Sequence, residues 1–175
     1  MTFKRAAIAG LVLLMPGLAH AVPLTWTLND AVFSDGGTAT GSFVWDADTE
    51  TFGAYEFTVS GGDTATFSPL TYNTANAAFG PIHAEFDAGS YRVRLFRFVT
   101  EVDQVERNLY VSVDAPLTNA GGLVGLDFVS PYSAGEGFTC APYRPFVAGN
   151  LSAEGVSGVP EPAAWGLMGL GFGGL

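Results

Sequence analysis

This 175-residue chain has little cysteine and little positive charge. Its single cysteine, Cys140, has no partner for an internal disulfide, so the fold must be held by its core. Seven lysines and arginines stand against seventeen acids, a net charge of −10. Phosphate binding needs a positive surface, which excludes nucleic acid as a partner. There are two histidines, His20 and His83. No G-x-S-x-G elbow, zinc spacing, phosphate-cradling glycine loop or dinucleotide fingerprint occurs. The expectation is a protein that is not an enzyme and needs no cofactor. Helical periodicity is scarce too: between Pro23 and Asn150 no stretch keeps 3.6-residue spacing for three turns.

What the body has instead is a period of two. In "TATGSFVWDAD", Ala39, Gly41, Phe43 and Trp45 alternate with Thr38, Thr40, Ser42 and Val44. Tyr55, Phe57 and Val59 share a face, as do Leu109, Val111 and Val113. "YRVRLFRFVT" changes phase at Leu95-Phe96, which predicts a bulge there. Glycine-bearing turns such as Asp35-Gly36-Gly37 and Gly61-Gly62-Asp63 separate the runs. About eight to ten short strands at this spacing predict an all-β domain, an antiparallel β-sandwich or jelly roll, over residues 22–150. The composition of residues 151–158 reads as a linker.

Both ends differ from this body. Lys4 and Arg5, the apolar run 6–15, a Pro16-Gly17 break and small residues at Ala19 and Ala21 form a secretory signal peptide over residues 1–21, its run helical and too short to anchor in a bilayer. Signal peptidase is thus an expected partner. Beyond the signal, five arginines (Arg92, Arg94, Arg97, Arg107, Arg144) remain as the only fixed cations. At the other end, "VPEPAAWGLMGLGFGGL" over residues 159–175 sets a rigid, accessible triplet before an apolar segment. Thirteen residues of helix span only about 20 Å, short of the roughly 30 Å of hydrocarbon.

Pro160, Glu161, Pro162 and Trp165, with the Gly171-Phe172-Gly173-Gly174 stretch, resemble the PEP-CTERM sorting domain of Gram-negative bacteria in its PEP-x-x-W variety. That resemblance implies export, transient membrane contact through the C-terminal tail, and recognition and cleavage by an exosortase-type sorting enzyme. It also implies a place in the cell envelope, at the cell surface or in extracellular matrix, associated with exopolysaccharide or biofilm. The family's terminal arginine cluster does not follow Leu175, so the tail reads as truncated relative to that pattern. The segment around Asp35, Gly36, Gly37, Thr38, Gly41, Ser42, Phe43, Asp46 and Ala47 is similar to a DGGT-x-x-GSF segment of uncharacterised PEP-CTERM proteins, which implies a β domain and no known activity.

Three features of the body suggest chemistry. Asp46, Asp48 and Glu50 place hard oxygen donors at alternate positions, as a calcium site would; the competing reading is a solvated hairpin turn. Arg92, Arg94 and Arg97 on one strand offer guanidinium donors to an acidic polysaccharide, against cross-strand pairing with acids such as Glu106. His83 with Glu85 on one strand face is the candidate base of a secreted hydrolase, against a structural histidine. Trp26 and Trp45 would stack on sugars if exposed, although strand parity places them in the core. The first reading is therefore a sorted envelope or matrix protein. The alternatives are a polysaccharide-binding module, calcium-assisted or not, and the hydrolase.

Overall fold

The computed structural model describes residues 22–89, 91–129, 133–139 and 141–155. The expected signal segment with Ala19 and Ala21, the sorting motif Pro160, Glu161, Pro162 and Trp165, and Cys140 lie outside the described residues. Among the described residues there are ten strands: β1 Leu24–Phe33, β2 Thr38–Asp46, β3 Thr51–Ser60, β4 Leu70–Asn73, β5 Ile82–Ala88, β6 Tyr91–Val102, β7 Val105–Ser112, β8 Gly122–Gly125, β9 Gly135–Phe138 and β10 Tyr143–Ala153. All pairings are antiparallel, in the order β4-β3-β2-β1-β10-β9-β7-β6-β5, with β8 beside β10.

The domain is all-β and antiparallel, as the period-two pattern predicts. It is one curled sheet, not two separate ones, because β10 runs through both halves. Residues 143–145 of β10 pair with β9, while residues 146–152 pair with β1. We call β1 to β4, β8 and the later part of β10 wing A; β5, β6, β7, β9 and the start of β10 form wing B. Their inner faces meet in an aromatic core. The Phe43 ring of β2 lies 5.3 Å from Phe96 and 5.4 Å from Phe98 of β6, and Phe57 lies 4.8 Å from Phe98. Each such buried side chain contributes roughly 1.5–3 kcal/mol by leaving water.

Local details follow from the residues. Gly41 sits at φ 141°, and a Cβ there would run into the Glu56 carbonyl of β3, so only glycine lets these strands close up. Two expectations change, and one turn goes unannounced by the sequence. The bulge at Leu95-Phe96 is absent: β6 pairs with β5 and β7 without a register shift. Val93, Leu95 and Val99 are buried on one face of β6 and Phe96 and Phe98 on the other, so no phase correction is needed. The β6–β7 hairpin turns on Asp103 and Gln104, both at positive φ, where no glycine advertises a turn. The last strand also continues past residue 150, because Leu151 and Ala153 point into the core while Ser152 points out.

Candidate functional site

The wings part at one end around a cleft of about 300 Å³. Trp45 and Phe96 floor it, the β2–β3 turn supplies Asp48 and Glu50, and β5 and β6 supply His83, Glu85 and Arg94. The His83 ring stacks on Phe96 at 4.8 Å and meets Trp45 edge-on at 4.7 Å. Its Nδ1 is 4.0 Å from Glu50 and its Nε2 3.9 Å from Glu85, beyond hydrogen-bonding reach. Burial lowers the His83 pKa and outweighs the upward pull of Glu50 and Glu85, so the ring is neutral at pH 7. Thr118 is the hydroxyl side chain lining the cleft among the described residues.

The expected calcium set does not converge. Asp46 accepts hydrogen bonds from the Asn119 side chain (2.9 Å) and the Asp48 N–H (3.0 Å). The Asn119 bond, followed by that from Thr49, lowers its pKa. Glu50, at φ 53°, faces His83. Among the described residues no three His, Cys, Asp or Glu side chains form a group able to hold a metal ion. Asp46 is engaged by Asn119 and the Asp48 N–H, while Glu50 is turned toward His83 and exposed.

The arginine ridge is likewise divided. Arg92 pairs with Glu85 (3.2 Å) and Asp87 (3.3 Å), and Arg94 approaches Glu85 at 3.5 Å and donates to the Asp114 carbonyl. Arg97, on the opposite face of β6, donates to Asn108 (2.8 Å) and Glu106 (3.2 Å) and lies over the Phe79 ring. Strand alternation splits the three, and cross-strand acids engage each one. Trp26 and Trp45 are core residues, 0% and 2% exposed.

Sequence reading missed a second polar centre, deep in the core of wing B. Glu136 of β9 is fully buried between Arg107 of β7 and Arg144 of β10. One carboxylate oxygen accepts from Arg107 Nε (2.9 Å) and the Tyr72 hydroxyl (2.6 Å); the other accepts from Arg144 Nε (2.8 Å). Arg144 then reaches Asp35 (3.0 Å) and the Gly61 carbonyl (3.3 Å), its guanidinium over the rings of Phe33 and Phe67. Arg107 donates to the Ser68 carbonyl (2.7 Å), and its guanidinium lies over Phe67 and Phe138. Two arginines and two carboxylates balance in charge, which makes their burial tolerable.

Asp35 joins this centre to the loops of wing A. It accepts the Gly37 N–H (3.0 Å) and the Asp63 N–H (2.9 Å) besides Arg144. Burial pushes the Asp35 pKa up, but those two backbone bonds and Arg144 outweigh it and hold the carboxyl below its ordinary range. A Cβ on Gly37 would lie 2.6 Å from the Arg144 guanidinium. The Asp-Gly-Gly turn is thus shaped to admit an arginine from 109 residues away. Desolvation, then the charge and hydrogen bond of Glu136, raise the Tyr72 pKa well above its usual value. The signal in sequence was Glu136 and Arg144 facing each other across the β9–β10 hairpin, unreadable without the register. No family model, curated protein or solved structure matches this chain.

Proposed function

We propose that this chain is an exported, non-enzymatic β protein of the cell envelope or extracellular matrix, associated with exopolysaccharide or biofilm and sorted through its C-terminal motif. The observation that carries the reading is the order of parts along the chain. A signal-type segment precedes β1, and Pro160, Glu161, Pro162 and Trp165 come a few residues after β10 ends at Ala153. A sorting enzyme needs an accessible motif, and in sequence Pro160, Glu161, Pro162 and Trp165 follow the last strand of the domain. Further support comes from the polar core: Glu136, Arg107, Arg144 and Tyr72 hold strands and loops together. In this reading the two wings act as the layers of a sandwich-type domain, stable without disulfides.

Intact-mass spectrometry of the exported protein from its host tests the proposal. The expected species begins at Val22 and ends close to Pro160, Glu161 and Pro162. A full-length chain retained inside cells, with both ends uncut, contradicts it.

A further inference from the structure

The outer face of wing A carries a polar row that is bordered at its β8 end by the exposed Leu123, the in-register neighbour of Ser152. One cross-strand row runs Ser152 (β10), Thr27 (β1), Ser42 (β2), Glu56 (β3), Asn73 (β4), each paired in register with the next. Neighbouring strands lie about 4.8 Å apart, so the row is about 19 Å long. A parallel row sets Thr40, Thr58 and Thr71 side by side. The row passes through two shallow grooves. One, of about 510 Å³, includes Thr27, Asn29 and Ser152; the other, of about 430 Å³, includes Ser42, Glu56 and Asn73. Both ends of one track are therefore concave.

The chemistry of the track selects its occupant. Asn29 bonds Ser152, Thr58 pairs with Thr71 and Asn73 caps its own turn, while the Thr27 and Ser42 hydroxyls can both donate and accept and so suit a ligand that does the same. Glu56 and Glu154 are the charges in the two grooves, and wing A has no arginine or lysine among its described residues. An anionic polymer would meet only repulsion. A rigid flat lattice fits poorly, because strands rotate by about 20–25° each and five strands turn the face substantially. A flexible chain can follow that twist. We infer that the outer face of wing A binds a neutral polyhydroxylated polymer, a polysaccharide strand lying across β10, β1, β2, β3 and β4. The inference rests on register and composition and holds whether or not the C-terminal motif is a sorting signal.

Exposed hydrogen bonds contribute only about 1 kcal/mol each, so retention grows with the length of polymer engaged. The test is affinity electrophoresis of the full chain through gels containing hydroxyethylcellulose or dextran, with polygalacturonate as the acidic comparison. Retardation by a neutral polymer, little changed by salt, and none by polygalacturonate is expected. The double variant Thr27→Val, Ser42→Ala should weaken neutral-polymer binding at least tenfold with an unchanged melting temperature, and Arg92→Gln should bind as the parent does. Failure of the parent chain to bind either neutral polymer overturns the inference, whatever the variants do. So does stronger retention by polygalacturonate, or light scattering that shows a dimer dispersed by the Thr27 and Ser42 changes, because a second copy would then own the face.

Discussion

Wing A and wing B share one sheet and one core, yet they handle charge in opposite ways. All five arginines of the domain lie in β6, β7 and the start of β10, on the wing B side. Each is held by acids or carbonyls of that wing, or of the loops packed on it. Wing A turns hydroxyls and amides outward, some bonded to one another, as Asn29 is to Ser152 (2.9 Å) and Thr58 to Thr71 (3.2 Å). The contrast teaches that charge in this acidic chain is chiefly a fastening device. Where fastening is done by aromatic packing, the outer face is free for contact.

Breaking the fastening should have the largest effect. Glu136→Gln leaves two buried guanidinium groups short of their carboxylate and should cost about 3–5 kcal/mol, read from urea unfolding. Replacing Glu136, Arg107 and Arg144 together by Leu, Leu and Met, with Tyr72→Phe, should cost less, because the one charge that loses its partner, Asp35, is partly exposed and keeps the Gly37 and Asp63 N–H bonds. Equal losses in the two variants would show that the network does more than neutralise itself.

Phe98→Ala, at the contact between the wings, should cost about 3–5 kcal/mol at most, through the cavity it opens. Asp35→Ala comes next, at about 1–3 kcal/mol, because the Gly37 and Asp63 N–H groups and Arg144 lose an acceptor. The pH profile gives a separate check on Asp35. Its folded pKa is depressed, so its contribution is present above the ordinary value of 3.8 and is lost as pH falls through the lower folded value. In Asp35→Ala that part of the acid profile should flatten.

His83 joins the wings at the cleft and should have a smaller effect of characteristic form. Its folded pKa lies below the ordinary value of 6.5, so the unfolded chain binds the proton more readily. Stability is complete above that pH and declines as pH falls below it. Glu50 and Glu85 soften the decline. His83→Phe should remove the slope that opens as pH falls below about 6.5 in denaturation series. Smallest of all, Thr40→Val on the outer face of wing A should change stability by no more than about 0.5 kcal/mol.

Strand parity was legible from sequence wherever alternation was strict. Ala39, Phe43 and Trp45 point inward, and Thr38, Thr40 and Ser42 point outward, as "TATGSFVW" predicts. Parity failed on β6, where both faces are buried and the phase carries no direction. It also failed after residue 150, where Leu151, Ser152 and Ala153 alternate within a composition that reads as linker. The Asp-Gly-Gly turn could be named but its purpose could not, since Arg144 reaches it only through the sheet. The calcium and arginine-ridge expectations depended on spacing along the chain. Register assigned those side chains to Asn119, His83 and cross-strand acids instead. The polar row of wing A was hidden for the same reason, as its members come from five separate segments.

The most direct measurement of the division between the wings is hydrogen exchange on the intact protein, with and without hydroxyethylcellulose. The account predicts slowed exchange confined to β1, β2 and β3 and the end of β10, with β5, β6 and β7 unchanged. Slowing centred on β5 and β6 around Arg92 and Arg94, with β1 and β2 untouched, would contradict it.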